Sequence, residues 1–136
     1  MKRTRPRPDE SLIELARAAM ANAACKHSKY RVGACLETNG GRTYTGVNVE
    51  SDSFGLTCCA ERVALFKALS EGERQFVRLA CATADGGPSC GACRQLLREY
   101  CPPSMPVVFV DETRVVRETT VGKMLPDPFE LAAKPS

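Results

Sequence analysis

A three-layer α/β/α sandwich around a mixed sheet of about five strands is the fold that this 136-residue sequence predicts. Three observations point to it. Helical and strand patterns alternate along the chain in the order αββαβαββα. The runs over 77–83 and 107–110 are predominantly apolar and of strand length, as strands buried on both faces are. Hydrophobic residues make up 43% of the sequence, enough for one domain to bury a core without disulfide staples.

Taken in order, Ser11-Leu12-Ile13-Glu14 has the form of a capping box. Leu15, Ala16, Ala19, Met20 and Ala23 follow at helical spacing, which predicts a helix over about 10–25. Val32, Ala34 and Leu36 alternate with Arg31, Gly33, Cys35 and Glu37, as in a strand. Asn39-Gly40-Gly41 is a hairpin signal, and 44–49 supplies the return strand. A second helix starts at Cys58 or Cys59 and runs through Ala64, Leu65, Ala68 and Leu69 to a stop near Gly72. After the strand over 77–83, Asp85-Gly86-Gly87-Pro88 is loop chemistry. A third helix fits 91–100, ended by Pro102-Pro103. The strand over 107–110, a turn at Asp111-Glu112, a last strand over 114–119 and a short helix over 121–125 complete the order. No repeat or internal linker interrupts it. The expected division is a disordered basic tail over 1–9, one domain over 10–130 and a C-terminal tail over 131–136.

The N-terminal residues are polar and basic with no apolar segment behind them, so no signal peptide is expected. No window approaches the roughly 18 consecutive apolar residues of a membrane span. The expectation is a soluble cytoplasmic protein without a membrane partner. The net charge of +3 is concentrated in Lys2, Arg3, Arg5 and Arg7. Aromatic residues are only 6%, tryptophan is absent, and basic and aromatic residues are not interleaved. That composition disfavours a nucleic-acid partner.

The cysteines carry the chemistry. Cys90-Gly91-Ala92-Cys93 is a C-x-x-C knuckle at the start of the third predicted helix, and Cys58 and Cys59 lie at the start of the second. A helix N-terminus stabilises a thiolate, and successive β-α units bring such termini to one sheet edge. In a reducing compartment a C-x-x-C reads as metal or redox chemistry. The redox reading leaves Cys59 and Glu61 unexplained. A structural zinc needs a fourth ligand, for which Cys25, Cys35, Cys81 and Cys101 are present, although Cys35 and Cys81 fall in strand patterns and read as small core residues. Three thiolates around Zn²⁺ instead leave a fourth position for water, the arrangement of a catalytic site. Zinc deaminases of nucleosides and bases carry His/Cys-x-Glu followed by Pro-Cys-x-x-Cys, with the glutamate off the metal. That spacing selects Cys59 over Cys58, since Cys59-Ala60-Glu61 fits it, and a structural zinc stays open as the alternative. Three thiolates on a dication leave a net negative charge, which the helix termini and Arg62, placed to donate to the sulfurs, would offset.

Further motifs sharpen this. SKYRVGACL, GVNVES, CAERVALFKALSEGE, CGACRQLL and MLPDPF, in this order and spacing, closely resemble the small single-domain cytidine deaminases of the three-cysteine type. The match covers about 10–130 and implies the cytidine-deaminase-like α/β/α fold. It implies Cys59, Cys90 and Cys93 as zinc ligands and Glu61 as general acid/base. It also implies substrate contacts at Asn48 and Glu50, which would hold the ribose hydroxyl, and at Tyr30, Ala60 and Phe129. Tyr30 matches an aromatic beside the base, usually Phe. Phe129 matches an aromatic that reaches a neighbouring subunit's pocket, and Phe54 stands where a Tyr near the subunit boundary is usual. The resemblance thus implies a homotetramer with shared active sites. It implies hydrolytic deamination of cytidine or deoxycytidine to uridine or deoxyuridine and ammonia, as in pyrimidine salvage.

The sequence departs from the family pattern in three places. Pro88-Ser89-Cys90 inverts the usual Ser-Pro-Cys. Cys25-Lys26-His27-Ser28 replaces Ala-Pro-Tyr-Ser. Asp52 stands where a small apolar residue is usual. These leave open another aminopyrimidine nucleoside as substrate, such as a modified cytidine or a blasticidin-like antibiotic. A non-catalytic zinc-stabilised module is the reading from a different class, against which Glu61 and Asn48-Val49-Glu50 speak.

Overall fold

The computed structural model describes residues 8–131. Its elements are α1 (Pro8–Ala19), β1 (Gly33–Thr38), β2 (Thr43–Val47), α2 (Ala60–Ser70), β3 (Phe76–Ala82), α3 (Gly91–Tyr100), β4 (Pro106–Val110), β5 (Val115–Thr120) and α4 (Val121–Met124). Single 3-10 turns lie at Met20–Asn22 and Phe54–Leu56. The strands form one sheet in the order β2-β1-β3-β4-β5. β1 lies antiparallel between β2 and β3, β3 and β4 are parallel, and β5 returns antiparallel, so the sheet is mixed.

Successive strand residues point to opposite faces, and here both faces are covered. Leu12, Ile13 and Ala16 of α1 pack on Cys35, Ala80, Ala82, Val108 and Val110. α2, α3 and α4 close the other face over Ala34, Leu36, Leu79, Cys81, Val107 and Phe109. The apolar–polar alternation read in β1 therefore becomes two apolar faces, with Gly33, Ala34, Cys35 and Leu36 all buried.

Helix α1 differs from its prediction at both ends. It starts at Pro8, so Ser11 lies inside it and not at its cap. Proline suits a first turn, where its missing N–H has no intrahelical partner to lose. The helix stops at Ala19 because the following chain is used elsewhere. Ala23 is extended, the Ala24 N–H donates to the Asn48 carbonyl at 2.9 Å, and the Glu50 N–H donates to the Ala24 carbonyl at 2.8 Å. A helix to residue 25 would forfeit that ladder. Residues 8 and 9 of the expected basic tail thus belong to α1. The rest of that tail, 1–7, and residues 132–136 lie outside the described residues.

The return strand β2 ends two residues early, at Val47. Val49 instead makes bridges to Ala24 and Cys58. In the hairpin before it, Gly41 sits at φ 87°, the left-handed conformation glycine adopts freely. Gly33 pairs with Val47 on one side and Ala82 on the other. The start of β1 and the ends of β2 and β3 therefore share one end of the sheet, from which the loops after β2 and β3 lead into α2 and α3.

Helix α2 approaches β2 closely over Gly46. A β-carbon there would lie 2.3 Å from the Ala60 carbonyl oxygen and 2.5 Å from the Ala64 nitrogen, both helix backbone. Gly46→Ala should lower the urea midpoint by the equivalent of about 3 kcal/mol, the upper part of the overpacking range, with little change in m. An unchanged midpoint would show that α2 does not sit this close.

Candidate active site

The thiols arrive at this sheet end on two helix starts built alike. Cys59 caps α2 with φ −73° and ψ 154°, and Cys90 caps α3 with φ −71° and ψ 166°. Neither side chain caps its own helix, so both sulfurs are free to project onward. Cys93 lies in the first turn of α3 and is fully buried. The Cys59 and Cys90 sulfurs are 3.5 Å apart, and those of Cys90 and Cys93 are 3.4 Å apart. All three fall within 4.8 Å of one another. Tetrahedral zinc with Zn–S bonds of about 2.3 Å requires sulfurs about 3.8 Å apart, so the donor set and its spacing fit that ion.

Crowding three thiols forces their acidities apart. The Cys93 thiol donates to Cys59 and holds it as a thiolate, down to about 5, against the opposing cost of burial. Arg62 contributes to this, its Nη2 lying 3.5 Å from the Cys59 sulfur and 3.4 Å from the Thr57 carbonyl. Cys93 is pushed up, by its hydrogen bond to Cys59 and by burial. Burial, first among several causes, also raises Cys58. A thiolate at Cys59 is thus favoured beside a guanidinium and two helix N-termini.

Glu61 is only 6% exposed. Burial pushes its carboxyl above the ordinary carboxylate range, the Ser89 hydroxyl and Arg62 oppose the rise, and the Cys59 charge adds to it. Ser89 is buried within reach of Glu61 and Cys81, yet its hydroxyl forms no hydrogen bond of good geometry. The Ser89 carbonyl accepts from Arg94 Nε at 3.0 Å, which fixes the backbone before the knuckle.

A cleft of about 260 Å³ runs from Cys59, Cys90 and Glu61 to Tyr30, Asn48 and Glu50. A larger groove of about 780 Å³ between α1 and the turn before β5 holds no cysteine or histidine, so size alone does not mark the chemistry. Asn48 is buried, and its amide bridges the chain ahead of β1: Oδ1 accepts from the Val32 N–H at 3.0 Å and Nδ2 donates to the Tyr30 carbonyl at 2.7 Å. Glu50 Oε1 accepts from the His27 and Ser28 N–H groups at 2.8 and 2.9 Å, and Oε2 from the Ser28 hydroxyl. The Ser28 hydroxyl, ahead of the backbone donors, holds its carboxyl below the usual range. The Tyr30 hydroxyl donates to Asp85 at 2.5 Å, closing one wall.

Comparison with known proteins decides the family. The family model for the cytidine and deoxycytidylate deaminase zinc-binding region matches residues 6–109. The chain belongs to this deaminase family. A cytidine deaminase from Sporosarcina psychrophila is 43% identical over 122 residues, covering 88% of this chain and 90% of that one. A probable cytidine deaminase from Dictyostelium discoideum is 40% identical over 123 residues, with coverage of 88% and 82%. A solved cytidine deaminase from Burkholderia pseudomallei superposes with a TM-score of 0.84 at 44% identity, covering 88% of this chain and 98% of that one.

Within the deaminase fold, the residues singled out in the sequence fall into two groups. Cys59, Cys90, Glu61, Asn48, Glu50 and Tyr30 line one cleft, with Cys93 and Arg62 packed beside the sulfurs. Ala60 and Phe129 do not line it. Ala60 is wholly buried against Gly46, and Phe129 is 70% exposed. The Phe129 backbone is tied to α3 by two hydrogen bonds with Gln95, at 2.9 and 3.1 Å.

Sequence reasoning missed the contribution of Cys58. Its N–H and carbonyl exchange hydrogen bonds with Val49, both at 2.9 Å, so its backbone joins the segment after β2 that bears Asn48 and Glu50 to the helix bearing Glu61. It also missed Ser28 and Asp85, whose partners lie 22 and 55 residues away. No local pattern carries such contacts.

Replacing a ligand thiol should cost metal; replacing its neighbour should not. Cys59→Ser, Cys90→Ser and Cys93→Ser are each expected to drop bound zinc well below one per chain in a colorimetric assay, with Cys58→Ser at the wild-type value. Loss of zinc from Cys58→Ser alone would mean that the cluster is misassigned.

Proposed function

We propose that this protein is a zinc-dependent hydrolytic deaminase of cytidine and deoxycytidine, yielding uridine or deoxyuridine and ammonia. The observation that carries the reading is a buried carboxyl, Glu61, in the same cleft as a three-thiol cluster and an Asn48/Glu50 pair. Cys59, Cys90 and Cys93 would hold the zinc. Zinc bound there supplies Lewis-acid polarisation and a water-derived nucleophile at neutral pH.

The residues divide the remaining work. Glu61 accepts a proton on hydration of C4 and passes it to N3, then takes the proton of the new C4 hydroxyl and passes it to the leaving amine, so that ammonia departs as the C4 carbonyl forms. Its burial suits a carboxyl that must carry a proton in one half of the reaction and lack it in the other. Arg62 and the two helix starts balance the thiolate charge. Glu50 and Asn48 line the cleft, and each retains hydrogen-bonding capacity after its contacts within the protein, which would serve the sugar hydroxyls. Tyr30 flanks the base. The inverted Pro88-Ser89 lies beside the leaving amine, where proline fixes the backbone.

We further assign a homotetramer with shared sites. Phe54, Leu56 and Phe129 are all at least 70% exposed, an arrangement suited to burial against other subunits and, for Phe129, to completing a neighbour's cleft. The active unit is the domain over 10–130, extended back to Pro8 by α1. All eight cysteines are unpaired, which suits a reducing, cytoplasmic setting. No helix among the described residues is long and apolar enough to cross a membrane. The Lys26 and Asp52 charges and the His27 ring beside Glu50 support a second reading, a modified or antibiotic aminopyrimidine nucleoside.

Ammonia release from a panel of cytidine, deoxycytidine and blasticidin-like nucleosides tests the assignment and ranks the substrates. Glu61→Gln is expected to keep its zinc while kcat falls by about 10²–10⁴. Undiminished turnover in that variant would sink the mechanism. Sedimentation should give a species of four chains, and Phe129→Ala should weaken turnover without loss of zinc; a monomer with full activity would refute the shared site.

A further inference from the structure

Two of the departures from the family pattern, Lys26-His27 ahead of β1 and Asp52 after β2, meet in space. Lys26 Nζ lies 2.9 Å and His27 Nε2 3.0 Å from the same oxygen, Asp52 Oδ1. The His27 ring stands edge-on to Phe54, with centroids 5.5 Å apart. The backbone of this same short stretch is what holds Glu50, through the His27 and Ser28 N–H groups and the Ser28 hydroxyl.

The loop over 25–30 is anchored firmly at its ends. Its start follows Ala24, laddered to Asn48 and Glu50, and its end is fixed at Tyr30 by Asn48 and Asp85. Its middle is different. There the Lys29 N–H closes on the Cys25 carbonyl at 3.0 Å, and Lys29 adopts φ 59°, a left-handed conformation that a lysine holds only under constraint. Glu50 itself and the Lys26–Asp52–His27 contacts tie this middle to the 50–54 segment. A carboxylate offers about four lone-pair sites, and three on Glu50 are taken by loop donors. Where the fourth points therefore follows where the loop is held.

We propose that Lys26, His27 and Asp52 form a clasp that positions Glu50 toward the sugar of the substrate, so that the two departures are one compensated device. The three are positioning residues. The substrate half of this inference rests on Glu50 being the sugar contact. Because Glu50 is remote from the reacting C4, loosening it removes binding that ground state and transition state share, which appears in KM and not in kcat.

The test uses Asp52→Ala in the full-length zinc-loaded protein, with two readouts. In amide hydrogen exchange, the His27 and Ser28 N–H groups should exchange several-fold faster, while amides of β1 and β3 stay unchanged. In kinetics, KM for cytidine should rise about three- to fivefold, the upper end for an exposed pair, with kcat within twofold. KM for 2′,3′-dideoxycytidine, which offers Glu50 no sugar diol, should not move. Asp52→Glu should restore part of the loss, and His27→Ala should add less in the Asp52→Ala background than alone. Unaltered exchange at His27 and Ser28 overturns the clasp whatever the kinetics. Altered exchange with equal shifts in KM for both nucleosides overturns the sugar-directed role. If wild type does not distinguish the two nucleosides, the sugar reading of Glu50 fails by itself, and exchange alone decides the clasp.

Discussion

Three sulfurs held within a few ångströms of one another concentrate negative charge that no ordinary stretch of backbone would tolerate. Most of the features around the site answer that constraint. Each of the two capping cysteines sits where a helix presents unpaired N–H groups, with nearly the same backbone angles. Arg62 follows Glu61 directly and turns back onto the Cys59 sulfur. For both helices to start at one point, α2 must lie almost on the backbone of β2. Gly46 allows that approach, and the burial of Ala60 and Ala64 records it.

The second requirement is that the cysteine half of the cleft and the Asn48/Glu50 half stay in fixed relation. The halves come from separate loops, and the joint between them is backbone. Val49 pairs with Cys58 on one side and Ala24 on the other, so three segments form a small ladder beyond the end of the sheet. Asn48 and Glu50 flank Val49 and spend much of their polar capacity on residues 27–32. Their geometry is set before any substrate arrives, which lowers the ordering cost of binding.

Much of this was legible in the sequence where information is local. The bounds 91–100 of α3 follow from Cys90 before and Pro102 after, and the hairpin follows from Asn39-Gly40-Gly41. The two-residue step from Cys59 to Glu61, set against the C-x-x-C spacing, distinguished Cys59 from Cys58. What stayed hidden was non-local. Helical periodicity through Ala23 could not reveal that Ala24 is taken by a strand partner. The polar alternation of Arg31 to Glu37 gave no sign that α1 covers the second face. Lys26-His27 and Asp52 looked like unrelated oddities because the chain between them is long, and Cys58 looked idle because its contribution lies in its amide and carbonyl.

The two apolar cores flank the sheet without drawing on the cluster's sulfurs, save where Cys93 lies wholly enclosed in the first turn of α3. The frame therefore stands on its own packing, unlike a zinc finger, whose folding free energy is its binding free energy. If the cluster holds zinc as proposed, removing the ion would leave both cores packed, and returning it would be a reversible operation on a folded chain.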